Sequence, residues 1–195
     1  RLDLDATIDT VLPEFADLQV LAEDGSLRAP ASMPTIRQLM THTSGLGYFF
    51  THQGLLEHCA AHDIPSILSG LRVSLDAPLV RDPGTMWEYG VSVDWLGLAV
   101  ERITGKTLGE QLAETVYGPL GMTHSTFAPS DEARANLLPV KARAADGSLV
   151  DTELDLPDVQ EWDAGGHGSY GTIGDYAKFV QAWLNDGAGI LRPET

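Results

Sequence analysis

Cysteine pairs, long apolar runs and basic charge are what this sequence has little of. Cys59 is its one cysteine in 195 residues, so no internal disulfide can form and cysteine usage gives no firm indication of redox compartment. No stretch of about 20 apolar residues occurs, which argues against a membrane-spanning helix. Only 12 Lys and Arg stand against 28 Asp and Glu, a formal charge of −16. Such a surface repels nucleic acid and anionic lipid, so neither is an expected partner. No internal repeat and no signal peptide is found. The chain opens at Arg1-Leu2-Asp3, already in patterned sequence, and closes at Arg192-Pro193 just after a helix, so both ends are expected to be cut ones. A cytoplasmic and a periplasmic or secreted location both fit. With 43% apolar residues, the length suits one soluble globular domain with a sizeable core.

Strand runs are scarce as well. One hairpin is expected over residues 141–153, turning at Asp146-Gly147. The rest reads as helices and ordered loops. A short segment from Leu2 to Leu12 enters a helix that stops near Pro13, and residues 17–31 read as loop with a turn at Asp24-Gly25. Thr35 with Gln38 is a capping box opening a helix that ends at Thr43-Ser44-Gly45, with Gly45 as left-handed cap. Leu46 to Phe50 suits a buried loop, and residues 52–70 have a weak helical pattern. Asp82-Pro83-Gly84 is a strong turn. After Tyr89, the spacing of Val93, Leu96, Val100 and Ile103 predicts a helix buried on that face, ended by Gly105. Thr107 with Glu110 caps the next helix, an antiparallel neighbour of the last. Gly165 to Thr172 holds four glycines in eight positions. Thr172 with Asp175 reads as a third capping box, and Tyr176, Phe179, Val180, Trp183 and Leu184 then form the cleanest amphipathic stripe in the chain.

Of the six histidines, His58 and His62 share a helix face, but no paired cysteines and no His-Glu-x-x-His spacing accompany them. A solvated face is the simpler reading, and no metal is expected. His42 lies near a helix end, where it can hydrogen-bond a carbonyl. No Gly-x-Ser-x-Gly elbow exists; Ser44, Ser92 and Ser169 are the nearest serine candidates. Ser169 sits in the glycine-rich turn, but the Lys of a phosphate loop is missing. Tyr89, after the Pro83-Gly84 turn, is either a catalytic phenol or a buried aromatic held through its hydroxyl.

Several stretches together resemble the serine beta-lactamase and penicillin-binding-protein-like superfamily, nearest to bacterial carboxylesterases related to class C beta-lactamases. They are Leu2-Asp3-Leu4-Asp5, Thr35 to Leu46 (Thr-Ile-Arg-Gln-Leu-Met-Thr-His-Thr-Ser-Gly-Leu), and Pro83 to Tyr89 (Pro-Gly-Thr-Met-Trp-Glu-Tyr). Asp94-Trp95-Leu96-Gly97, Tyr117 to Thr126, and Gly165-Gly166-His167-Gly168 through Phe179 complete the set. They fall in the family's order over nearly the whole chain. The resemblance implies an α+β fold, an α/β sandwich of the beta-lactamase/transpeptidase type. Residues 1–195 would form part of that domain, mainly its helical subdomain with one hairpin. An apolar, sheet-facing surface would be left exposed. Neither a Ser-x-x-Lys nor a Lys-Thr-Gly element occurs; the family places them outside this stretch.

The implied chemistry is two-step acyl transfer without a cofactor, on a small ester or amide substrate. Tyr89 takes the family's tyrosine position, a basic group paired with a lysine. Val91 stands where many beta-lactamases carry Asn, which favours an esterase-like member. Trp87 and Tyr48 are candidate pocket walls, and Gly166, His167 and Tyr170 are candidates to border the pocket. Two alternatives remain: a beta-lactamase or D-alanyl-D-alanine carboxypeptidase, and a binding module that keeps the fold without catalysis.

Overall fold

Thr35 starts the first regular helix, because its hydroxyl accepts the Gln38 N–H while the Gln38 side chain accepts the Thr35 N–H. The computed structural model describes residues 2–152, 157 and 160–192. Within them the α-helices are α1 (Ile36–Met40), α2 (Gln53–Ala61), α3 (Ser92–Thr104), α4 (Leu108–Leu112), α5 (Asp131–Ala135) and α6 (Ile173–Leu184). Two antiparallel hairpins pair β1 (Val20–Leu21) with β2 (Leu27–Arg28), and β3 (Lys141–Arg143) with β4 (Leu149–Asp151). The fold is therefore α+β and predominantly helical, with small hairpins and no closed sheet among the described residues.

The core lies in the first half of the chain. Ile8, Leu12, Phe15, Ile36, Leu39, Leu46, Leu75, Leu79 and Trp95 are buried together. Phe15 meets Trp95 edge-on at 4.8 Å, and the Arg72 guanidinium covers the Trp95 ring at 4.8 Å. Truncating a buried ring of this kind costs about 3–5 kcal/mol, so this cluster anchors α3 under the segments before it.

Several expected boundaries move. The N-terminal segment forms two 3-10 turns, Ile8–Thr10 and Pro13–Asp17, so Pro13 opens a turn rather than stopping one. Residues 17–31 contain the β1–β2 hairpin around the expected Asp24-Gly25 turn. α1 ends at Met40, and His42, not Gly45, takes the first left-handed conformation after it. The Thr107–Glu110 capping box forms, but α4 widens into a π-helical turn over Ala113–Tyr117. The hairpin forms around the expected Asp146-Gly147 turn, pairing Lys141 with Asp151 and Arg143 with Leu149, with Glu153 outside the described residues.

One expected apolar face is corrected, and a second is found uncovered. On α3 the buried side carries Trp95, Leu98 and Ala99 with Ser92 and Asp94, while Val93 and Ile103 are exposed. Trp95 decides the matter, because its ring fills the space beside Phe15. On α6 the stripe of Tyr176, Val180, Trp183 and Leu184 is exposed, Leu184 by 78%. No element among the described residues covers it. Thr172 caps α6, but Asp175 does not close the box. Its carboxylate instead accepts the His124 N–H at 2.7 Å and the Ser125 hydroxyl at 3.2 Å.

Two loops are joined by backbone alone. Val80 N–H donates to the Gly45 carbonyl (2.8 Å), Gly84 N–H to Thr43 (2.7 Å) and Glu88 N–H to His42 (2.8 Å). Gly45 has φ +88°, and a Cβ there would stand 2.1 Å from the Arg81 carbonyl oxygen. A Cβ on Gly90 would stand 2.3 Å from the Leu46 carbonyl oxygen. Gly45→Ala is expected to destabilise the chain by about 3 kcal/mol or more. Gly25→Ala, also at positive φ but with open space around it, should cost only about 1 kcal/mol. Urea denaturation of the two variants checks the contrast, and equal losses would show that the close approach is not what matters.

Candidate active site

The loop pairing sets a ring cluster around Tyr89. Tyr89 follows Glu88, whose N–H is held by His42 and whose carboxylate takes Arg81 Nε at 3.0 Å. Gly90 then passes against Leu46 and Gly47, and α3 begins two residues on. His42 lies 4.9 Å from the Tyr89 ring, Tyr48 5.3 Å and Trp87 6.2 Å, the last stacked at 15°. Tyr48 itself stacks on Phe50 at 4.7 Å. Tyr89 is 49% exposed, and its hydroxyl has no hydrogen-bond partner among the described residues. The ring is held on several sides while the residue stays half exposed.

Of the other expected pocket residues, Trp87 is exposed beside Tyr89 and Tyr48 lies buried beneath it. Burial pushes the Tyr48 phenol upward, with Asp94 and Tyr89 adding to the effect. Gly166 and His167 sit instead on the first turn of α3. Gly166 N–H donates to Asp94 Oδ1 at 2.8 Å, and His167 Nδ1 lies 3.8 Å from the same oxygen, too long for a hydrogen bond. Tyr170 pairs through its backbone with Thr126 and is not part of the ring cluster. It lines a separate groove of about 780 Å³ with Leu112, Val116, Tyr117, Phe127 and Tyr176. Tyr89 does not line that groove, so this groove and the exposed phenol do not coincide.

The serine candidates are taken up elsewhere. Ser44 and Ser92 are fully buried and hydrogen-bond each other at 2.8 Å, which ties the α1 exit to the start of α3. Ser169 shares a 3.0 Å hydrogen bond with the Tyr117 hydroxyl. No group of three or more His, Cys, Asp or Glu side chains among the described residues is placed to hold a metal ion. No helix among them is long and apolar enough to cross a membrane.

Two residues of the site escape sequence reasoning. His42 does not cap a carbonyl as expected: its Nδ1 is buried without a partner, and burial holds its pKa below the ordinary value. Its φ of +54° places the ring on Tyr89. Nothing in Thr41-His42-Thr43 announces that conformation. Asp94 is wholly buried, with Oδ2 unpartnered, and desolvation pushes its carboxyl up to about 6 against the help of the Gly166 N–H. The signal available was a lone acid between Val93 and Trp95 on a helix whose neighbours are apolar.

The Asp94 shift has a definite sign. The folded carboxyl titrates near 6 and the unfolded one near 3.8, so stability is full below about pH 4 and falls as pH rises through about 6. Wild type is expected to lose about 3 kcal/mol over that window relative to Asp94→Asn, which has no charge to bury. His167, depressed by burial, acts in the opposite direction but is common to both proteins. Denaturation curves between pH 4 and 8 give the difference, and parallel profiles would reject it.

Comparison with known proteins bears on this site. Monacolin J acid methylbutanoyltransferase from Aspergillus terreus is 35% identical over 206 residues, covering 100% of this chain and 49% of that protein. Lovastatin esterase from Penicillium rubens is 32% identical, covering 98% of the chain and 51% of the esterase. The solved structure of the LovD6 mutant of simvastatin synthase from Aspergillus terreus superposes with a TM-score of 0.86 at 35% identity, over 99% of this chain and 48% of the other. The chain spans about half the length of these relatives. The superfamily expected from the motifs holds. Within it the likeness runs to fungal acyltransferases of the LovD type, where the motifs point to bacterial carboxylesterases. The model of the Beta-lactamase family matches residues 1–195, and the chain belongs to that family.

Proposed function

We propose that residues 1–195 are the tyrosine-bearing part of one beta-lactamase-type domain that transfers acyl groups from small esters through an acyl-serine intermediate. The observation that carries this reading is Tyr89, a half-exposed phenol with an unbonded hydroxyl on a ring held by His42, Tyr48 and Trp87. A group of that kind is preorganised for proton transfer and not for filling a core.

In the reaction a serine hydroxyl attacks the ester carbonyl and its proton passes to the tyrosine–lysine pair. The tetrahedral intermediate then collapses and the alcohol leaves with that proton. Water or a second alcohol takes the acyl group in the reverse sequence. The serine and lysine belong to a Ser-x-x-Lys element of the remaining half of such a domain, since none occurs in these 195 residues. A phenol titrates near 10 in water, so a tyrosine base needs a cation beside it at neutral pH. Arg81 does not fill that place, being paired with Glu88. Trp87 and Tyr48 form the apolar wall beside the acyl or alcohol group.

Relatives that bear the names of a methylbutanoyltransferase and an esterase support both acceptors, alcohol and water. Val91, in place of the Asn common in beta-lactamases, favours esters over lactams. Esterase EstB of Burkholderia gladioli, 31% identical over 100% of the chain and 53% of that protein, adds support for an ester as the substrate class.

In the full-length protein, Tyr89→Phe is expected to lower kcat on p-nitrophenyl butyrate by about a hundredfold or more, with KM little changed. A variant within a few-fold of wild type would remove Tyr89 from the mechanism. Adding a primary alcohol to the assay and measuring the new ester against free butyrate separates transfer from hydrolysis.

A further inference from the structure

His42 combines two features that oppose folding. Its backbone is left-handed, at φ +54°, and its Nδ1 is buried without a partner. The surrounding chain holds both in place. His42 N–H donates to the Leu39 carbonyl in α1 (3.3 Å), and Thr43 N–H donates to the Gln38 carbonyl (2.8 Å). The hydroxyls of Thr41 and Thr43 meet at 3.0 Å across the residue. On the other side, the His42 carbonyl accepts the Glu88 N–H and the Thr43 carbonyl accepts the Gly84 N–H. A strained residue pinned this firmly points to a side chain that must be aimed.

The ring lies 4.9 Å from Tyr89, tilted by 48°, and 6.4 Å from Trp87. The other two rings against Tyr89 are less able to fix it. Trp87 is exposed and stands on the same loop as Tyr89, so it moves with it. Tyr48 lies beneath and meets Tyr89 edge-on. His42 comes from the opposite loop, and its own carbonyl holds the residue before Tyr89. Burial keeps the His42 pKa below its ordinary value. The ring is therefore neutral at physiological pH and is not the cation that a tyrosine base needs.

We propose that His42 is a positioning residue that sets the angle of the Tyr89 ring for proton transfer. This role rests on the acyl-transfer reading of Tyr89. It also accounts for the residue type. A left-handed backbone favours Gly, Asn, Asp and His, and of these only His carries an aromatic ring. The unpartnered Nδ1 follows from placing a ring on that backbone. Because His42 acts through Tyr89, its loss should slow the chemical step and leave substrate binding alone.

The test compares His42→Asn, which suits the left-handed turn but has no ring, with His42→Phe, which keeps a ring without the nitrogens. Both are assayed in the full-length protein on p-nitrophenyl butyrate. His42→Asn is expected to lower kcat about tenfold or more with KM within about twofold, and His42→Phe to recover to within about threefold of wild type. In the Tyr89→Phe background, His42→Asn should slow the enzyme by less than about twofold further, because the two residues act as one unit. Melting temperatures of the variants should stay within about 5 °C of wild type. A wild-type rate in His42→Asn, no recovery in His42→Phe, or a further loss of about tenfold in the double variant would each overturn the role. So would a fall in Tm beyond about 5 °C in His42→Asn, which would make the residue a structural one. A wild-type rate in Tyr89→Phe has a different meaning: the acyl-transfer reading of Tyr89 then fails, and the role of His42 with it.

Discussion

Everything around Tyr89 depends on how closely two loops approach. Residues 42–47 and 80–90 are joined by three backbone hydrogen bonds of 2.7–2.8 Å, and side chains at positions 45 and 90 would prevent the contact. Once the backbones meet, the rest follows with little freedom. His42 and the neighbouring Tyr48 come from one side of this junction, Trp87 and Tyr89 from the other, and the four rings meet there. Ser44 and Ser92, buried at the two ends of the junction, satisfy each other. The site is thus a product of main-chain packing, with the side chains selected to suit it.

α3 serves both the core and the site. Its Trp95 is wedged between Phe15 and Arg72, while Asp94, one residue earlier, points the other way and holds Gly166. The two neighbours have opposite energetic signs. Burying Trp95 stabilises the fold, and burying the ionised Asp94 opposes it. The gain at Trp95 is large enough to keep the acid in place. The consequence is a fixed loop, Gly165–Gly168, at the end of α3 nearest Tyr48.

Local signals were the most legible part of the sequence. Thr35 with Gln38 and Thr107 with Glu110 gave true capping boxes, and Asp146-Gly147 gave a true hairpin, because each rests on contacts within four residues. The resemblance made Tyr89 a catalytic candidate and Trp87 and Tyr48 candidate walls, and in the structure the three rings lie together. What was not legible was set at long range. The α3 face failed because Val93 and Trp95 are equally apolar on paper, and only Phe15, 80 residues earlier, selects between them. Asp175 looked like a box-closing acid, yet His124 and Ser125 compete for its carboxylate. His42 was read as a cap because a left-handed turn at a histidine has no sequence signature.

The uncovered stripe on α6 and the charge of −16 act over different distances. Repulsion between acidic surfaces reaches about 10 Å at 0.1 M salt and about 3 Å at 1 M. Attraction between apolar faces needs contact and is not screened. In dilute buffer the charge keeps the stripes of neighbouring molecules apart, and added salt removes that protection without weakening the attraction. The colloidal behaviour of these 195 residues is therefore governed by ionic strength, through the exposed face of a single helix.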